Sequence, residues 1–252
     1  MPMVSAGLDT IPSPTPFHTA RWRDLVLLNY EVPVELVQPL VPQGTELDRY
    51  DGRVLASLVA FRFLDTRILG RAVPFHRNFD EVNLRFYVRR DVGQGEVRRA
   101  VVFVRELVPK RAVAWIARLI YNEPYRRAPI GHHMEPGPDD SPVTISYEWS
   151  WEGGRYSVSG RLAGPPAPLE RPSEAEFITE HFWGYTRQRD GGTLEYRVAH
   201  PSWNVADLGE AEFRGDLGRL YGPEWAEALK GPPRSALYAD GSAVEVFRGK
   251  RL

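Results

Sequence analysis

Glu81, Asn83 and Arg85 alternate along the run Phe79 to Arg90 (FDEVNLRFYVRR), placing an acid, an amide and a guanidinium on one face of an extended segment. Val82, Leu84, Phe86 and Val88 share the other face. On a solvated sheet the polar set is an ordinary outer surface. Turned toward the lumen of a barrel, it becomes a binding site for a small polar or anionic ligand. Arg105-Glu106, near the end of the next apolar run, extends either arrangement. A second chemistry belongs to Lys110, which follows Pro109 at the head of a segment with helical spacing. The positive end of the helix dipole would lower its pKa and favour an amine nucleophile. The plain reading is an exposed first-turn residue.

Histidine offers less. His18, His76, His132, His133, His181 and His200 include no HxH or HExxH pair that would set two imidazoles on one metal. His132-His133 point to opposite sides of an extended segment, so a metal site would have to be assembled from distant residues. His200, in His200-Pro201-Ser202-Trp203, reads as a packed structural histidine. There is no GxSxG, no GxGxxG after a strand and no Walker-type loop. No metal and no cofactor are expected.

Composition narrows the class. The 252 residues carry a net charge of −1 and no cysteine, which excludes disulfides, thiolate metal sites and cysteine nucleophiles. Balanced charge argues against nucleic acid as a partner. No apolar run approaches the roughly 18 residues that span a bilayer. Met1 to Pro16 lacks the basic and apolar regions of a signal peptide, so a cytoplasmic protein is expected. Lysine occurs only at Lys110, Lys230 and Lys250; the rest of the 32 cations are arginine. GC-rich coding accounts for such a skew, and so does recognition of carboxylates or phosphates by guanidinium groups.

The elements that position these residues are mainly strands. Asp24 to Glu31 reads as a buried strand and Pro33 to Leu40 as a short helix. Thr45 to Tyr50 and Arg53 to Asp65 read as a hairpin about Asp51-Gly52. Apolar residues on both faces of the second arm place it centrally or in a barrel wall. Phe79 to Arg90 should pair with Glu96 to Leu107, ahead of a helix over Pro109 to Asn122. Val143 to Leu162 gives two strands about Gly153-Gly154, and Thr193 to Ala199 another. Ser173 to Trp183 opens with a capping box in which Ser173 caps and Glu176 reaches back. Pro223 to Lys230 is a short helix, and Ser235 to Phe247 closes the chain as a hairpin about Asp240-Gly241. The sum is a mainly β, α+β chain: an extended N-terminal segment (1–20), then one domain (21–252) with a curved sheet or partly closed barrel and a few short helices.

Several stretches resemble the YqjF/DUF2071 family of bacterial proteins. They include Phe61 to Arg67 (FRFLDTR), Pro74 to Arg85 (PFHRNFDEVNLR), Ala114 to Arg118 (AWIAR), Tyr121 to Tyr125 (YNEPY), Phe182 to Thr186 (FWGYT) and His200 to Trp203 (HPSW). The likeness runs from about Arg21 to Ala239. It implies an acetoacetate-decarboxylase-like fold, a cone-shaped antiparallel β-barrel with a few short packed helices.

The more distant resemblance to true acetoacetate decarboxylases implies roles residue by residue. Asp80-Glu81-Val82 is similar to their strand motif with a cavity glutamate, which makes Glu81 the matching acid. Their aromatic-Pro-Lys-Lys motif supplies a Schiff-base lysine and a neighbouring cation. Glu123-Pro124-Tyr125-Arg126 stands there instead, with Tyr125 at the nucleophile and Arg126 at the helper cation. A phenol forms no imine, so the scaffold is expected without the decarboxylation chemistry. The leading expectation is a small-molecule ligand, carboxylates foremost, held by Glu81, Asn83, Arg85, Tyr125 and Arg126. The alternatives are an enzyme using Tyr125 and Glu81 as acid–base pair or Lys110 as amine, and a structural protein with a collapsed cavity. Neither nucleic acid nor membrane is an expected partner, and homo-oligomerisation stays open.

Overall fold

Runs of β-branched and aromatic residues with period-two alternation favour strands, and they form them here. The structure, a computed structural model, describes residues 15–72, 76–109, 124–137 and 142–252. Lys110 and the helix expected around it lie outside the described residues. In chain order the strands are β1 (His18–Glu31), β2 (Glu46–Leu47), β3 (Leu55–Ile68), β4 (Arg71–Ala72), β5 (Phe79–Asp91), β6 (Val97–Val108), β7 (Tyr125–Arg127), β8 (Ile130–Pro136), β9 (Pro142–Trp151) and β10 (Gly154–Leu162). They continue with β11 (Ala167–Pro168), β12 (Trp183–Arg187), β13 (Thr193–Ala199), β14 (Asn204–Arg214), β15 (Ser235–Ala239), β16 (Ala243–Val246) and β17 (Lys250–Arg251).

Seven of these close into a barrel, in the order β1, β3, β5, β6, β12, β13, β16 and back to β1. Every seam is antiparallel except one: at β6–β12, Trp183 and Gly184 run parallel to Ala100 and Val101. Closure removes the edges that an open sheet would expose. A second antiparallel sheet, β8–β9–β10–β14, covers part of the outside.

The two largest apolar cores follow from this arrangement. Outward side chains of the barrel wall, Val26, Leu58, Leu84 and Phe86, pack against Ile145, Tyr147 and Trp149 of the second sheet and Trp225 of the helix Pro223–Ala228. Inward side chains, Leu25, Leu27, Val59, Phe61, Phe63 and Tyr87, form the other. This double burial is why β3 is apolar on both faces. Among the described residues no helix is long and apolar enough to cross a membrane.

Two expected hairpins pair differently. Asp51 and Gly52 do make a tight turn, with φ of 48° and 77°. Tyr50 and Arg53 exchange both backbone hydrogen bonds across it. The first arm nevertheless leaves β3 and pairs with β5, Glu46 opposite Arg89. The pairing of β3 with β5 stops at Ala56 and Phe86, so β2 takes the vacant ladder beyond it. At the other end, β15 and β16 do not pair with each other. Both lie along β1 in one register, Leu25 opposite Ala239 and His18 opposite Val246. Asp240-Gly241 is therefore an interruption within one strand path, not a hairpin turn. The capping box is half formed: Ser173 Oγ accepts the Glu176 N–H at 3.0 Å, while the Glu176 carboxylate is taken by Arg171. Trp183 lies beyond that helix, in β12.

Candidate functional site

The inward face of β5 carries Glu81, Asn83, Arg85 and Tyr87, because alternate residues of a strand point the same way. Register with β3 sets Phe61 beside Glu81, Val59 beside Asn83 and Ser57 beside Arg85. The polar row thus faces the lumen. Glu81 and Asn83 are each 2% exposed and Arg85 is 8% exposed. They line a cavity of about 140 Å³ together with Glu106, Tyr125 and His181.

Glu106 enters through a bulge. Strict alternation from Val101 and Phe103 would turn Arg105 inward. The β5–β6 register shifts instead, so that Arg85 faces Phe103 but Leu84 faces Arg105. The extra residue, Val104, sends Arg105 outward and Glu106 into the lumen opposite Asn83. Arg105 then donates to the Leu220 carbonyl and stacks on Trp151 and Tyr221.

Around Glu81 the bonds are specific. Asn83 Nδ2 donates to Glu81 Oε1 at 3.0 Å, and the Tyr125 hydroxyl donates to Glu81 Oε2 at 3.3 Å. Tyr125 sits at the start of β7, opposite Glu106. Arg126, one residue on, points the other way: it pairs with Leu107, which belongs to the outer core, and is exposed. Strand alternation thus places Arg126 off the described cavity wall, apart from Tyr125, with which it is expected from sequence to line the site. Lys230 and Lys250 are exposed and away from the lumen.

Arg85 is the notable cation. Its Nη2 donates weakly to the Ile178 carbonyl at 3.4 Å, and its guanidinium lies 5.8 Å from the Tyr87 ring centroid. No carboxylate of the described residues comes within 4.0 Å of it. Next to it stands a pair that sequence reading missed. His181 Nε2 lies 3.3 Å from Asp48 Oδ2, and Arg99 Nε donates to the same oxygen at 2.8 Å. Burial pushes the His181 pKa down to about 4, against the opposing pull of Asp48. Burial pushes the Asp48 carboxyl up, but the hydrogen bonds from His181 and Arg99 outweigh it and hold the group below its usual value. The imidazole is thus neutral beside an ionised carboxylate. His181 was hidden because it follows the helix Glu174–Thr179, where Glu180 leaves helical geometry and redirects the chain. Its partner is 133 residues away, and no local pattern announces such a pair.

The rest of the lumen is aromatic. Trp22 packs on Phe61 at 5.3 Å and on Trp203 at 6.2 Å, and Phe63 stacks on Phe79 at 4.7 Å. His200 lies flat on Trp203 at 4.3 Å, as a packed histidine should, and burial lowers its pKa. His18, His76, His181 and His200 all reach this cavity. Among the described residues, no group of three or more potential ligands is placed to hold a metal ion.

Comparison with known proteins places the scaffold. The sequence model of DUF2071, described as an uncharacterised conserved protein family, matches residues 19–243. The protein YqjF of Bacillus subtilis (strain 168) is 26% identical over 194 residues, 76% of each chain. Acetoacetate decarboxylase from Legionella pneumophila superposes with a TM-score of 0.68 at 14% identity, covering 99% of this chain and 98% of that one. The enduracididine biosynthesis enzyme MppR, complexed with pyruvate, gives 0.65 at 12% identity, covering 97% and 93%. An acetoacetate decarboxylase-like enzyme from Sphingomonas wittichii RW1 gives 0.62 at 14% identity, covering 99% and 100%. At such identities the likeness to solved structures establishes the barrel and not its chemistry. The chain thus carries an acetoacetate-decarboxylase-like barrel, and with most of its length matched it belongs to the DUF2071 family.

Proposed function

We propose that the chain binds a small carboxylate-bearing molecule in the barrel lumen and does not carry out Schiff-base decarboxylation. The observation behind the first half is Arg85: a guanidinium 8% exposed, in a cavity wall, with no carboxylate of the described residues in ion-pair reach. Burying a charge without a counter-ion costs several kcal/mol, on the order of 3–5. A ligand carboxylate offsets that cost, and planar guanidinium matches it in a bidentate pair. The aromatic wall suits the hydrocarbon part of such a ligand. MppR, on the same fold, was solved with pyruvate, a ligand of this size and charge.

The second half rests on nucleophile chemistry. A Schiff base needs an amine in the lumen. Tyr125 stands where the resemblance implies that amine, and its phenol is engaged with Glu81. The test is calorimetry and thermal shift with a panel of keto acids and other small carboxylates. Wild type should show saturable stabilisation that Arg85→Met abolishes. Equal shifts in the two proteins would remove the proposed site. Borohydride trapping with the same keto acids should label no lysine; a labelled Lys110 would overturn the second half.

A further inference from the structure

Buried polar atoms of the lumen wall without a hydrogen-bond partner among the described residues include His18 Nε2, Trp22 Nε1 and Thr66 Oγ1, and three that lie in one corner: Asn83 Oδ1, Arg85 Nε and His181 Nδ1. The last three belong to residues that are 2%, 8% and 7% exposed, and all three residues line the same cavity. They are also neighbours. Asn83 and Arg85 are successive inward residues of β5. The Arg85 guanidinium and the His181 ring both lie against Tyr87, at 5.8 Å and 4.6 Å.

The role of each atom is fixed by its partners on the other side. Asn83 Nδ2 donates one amide hydrogen to Glu81, which fixes the amide's orientation and makes Oδ1 the acceptor facing this corner. His181 faces the Asp48 carboxylate through Nε2, and that oxygen already receives Arg99. A carboxylate only accepts, so the imidazole proton sits on Nε2 and Nδ1 presents a lone pair. Arg85 only donates. This corner of the wall therefore offers one cationic donor and two acceptors. A carboxylate answers Arg85 and neither acceptor. A keto oxygen, itself an acceptor, answers neither of them as well.

We propose that the lumen selects a hydroxy acid over the keto acid of the same skeleton, with the carboxylate on Arg85 and a hydroxyl donating to His181 Nδ1. This rests on the carboxylate reading above. Asn83 Oδ1 suits a second hydroxyl in the same way. An ammonium group would also donate, but at His181 it would set a second cation near Arg85 and lose its hydration; the amino acids in the test below separate the two donors. The acceptor role of His181 is held in place by Asp48 and Arg99, so Asp48 is a positioning residue here.

The experiment is isothermal titration with matched sets: lactate, pyruvate and alanine; 3-hydroxybutyrate, acetoacetate and 3-aminobutyrate; and glycerate as a dihydroxy acid. In wild type, at least one hydroxy acid should bind roughly tenfold or more tighter than its keto counterpart, the worth of one buried hydrogen bond made against one refused. His181→Phe keeps a ring against Tyr87 and Phe177 and should bring that ratio close to one, while Arg85→Met should abolish binding of the whole set. The wild-type ratio needs no variant, so a misfolded His181→Phe does not blunt the test. Keto acids binding as tightly as hydroxy acids, or amino acids binding tighter than both, with dependence on Arg85 intact, would overturn hydroxyl selection and leave the carboxylate reading standing. Absence of binding by every probe would overturn both.

Discussion

Replacing Arg85 by methionine should stabilise the empty protein and disable the site in one step. The magnitude follows from what the side chain touches. Its contacts are a long hydrogen bond to the Ile178 carbonyl at 3.4 Å and a Tyr87 ring at 5.8 Å, near the limit for cation–π attraction. Together these contribute about 1 kcal/mol. Against them stands the desolvation of a guanidinium in a residue only 8% exposed, with no carboxylate of the described residues near enough to offset it. Replacing buried ionic groups by apolar ones of similar volume stabilises by about 1–4 kcal/mol. Subtracting the lost contacts leaves a gain of about 2 kcal/mol, which for a chain of this size raises Tm by roughly 4–8 °C. Urea unfolding and calorimetry without added acid measure the first effect. Titration with small carboxylates measures the second, which should vanish. A structural arginine behaves in the opposite way. If Arg85→Met loses 2 kcal/mol or more and still responds to carboxylates, the guanidinium holds the barrel together and the argument for a binding role fails.

Other perturbations probe the frame around the site. Glu195, 5% exposed, accepts from Arg90, Arg98 and Tyr185, so Glu195→Leu should destabilise by about 3–5 kcal/mol in urea unfolding; a loss under 1 kcal/mol would show the cluster to be solvated. Gly241 has φ +76°, and a Cβ there would run into the Trp22 carbonyl oxygen, so Gly241→Ala should cost about 2–3 kcal/mol by distorting the β1 seam. A neutral outcome for that variant would mean the seam is loose. His181 takes a proton near pH 4 when folded and near 6.5 when unfolded. The unfolded chain therefore binds more protons between those values, and stability must fall as pH drops from 6.5 toward 4. At pH 5 the His181 share is about 2 kcal/mol. His18, also pushed down to about 4 by burial, acts with the same sign. His181→Phe should remove that share, about 2 kcal/mol between pH 7 and pH 5, in urea unfolding at several pH values; an unchanged slope would mean the ring is not held neutral.

Local chemistry made much of this architecture legible. β13 runs over Thr193–Ala199, the span its alternation and the preceding Gly191-Gly192 mark out. The inward row of β5 was readable as a row, because period two fixes which residues share a face. It could not fix which face was the lumen, since that depends on seams as distant as β6–β12. The two hairpins failed for a related reason. Asp51-Gly52 and Asp240-Gly241 carry genuine turn chemistry, and the glycine of each takes positive φ, but a turn does not choose the partner of the strand that follows. Burial of Leu47 and the open ladder of β5 chose it in the first case, and continuity along β1 in the second. Arg105 and Glu106 exchanged faces through a bulge that no alternation count foresees. His181 and Asp48 are joined only by closure of the barrel.

The skew toward arginine acquires a chemical meaning inside the lumen. A nucleophilic amine must lose its proton, and a cavity prepares for that with a neighbouring cation or with burial of the amine. Here the cation among the described lining residues is Arg85, with Arg99 behind it on Asp48, and guanidinium does not deprotonate. Neither can attack a carbonyl or form an imine. The Tyr125 hydroxyl donates a hydrogen bond to Glu81, Asn83 donates an amide N–H to the same carboxylate, and His181 keeps its proton toward Asp48. Each group is thereby assigned one role, donor or acceptor, before any ligand arrives. Preassigned roles discriminate between ligands, because a mismatched oxygen leaves a buried acceptor without a hydrogen. They do little to break a carbon–carbon bond, which needs an electron sink. On the proposed reading, a site without a reactive amine works by reading a ligand's hydrogen-bonding pattern, so equilibrium selectivity between hydroxyl and keto forms is the property to measure first.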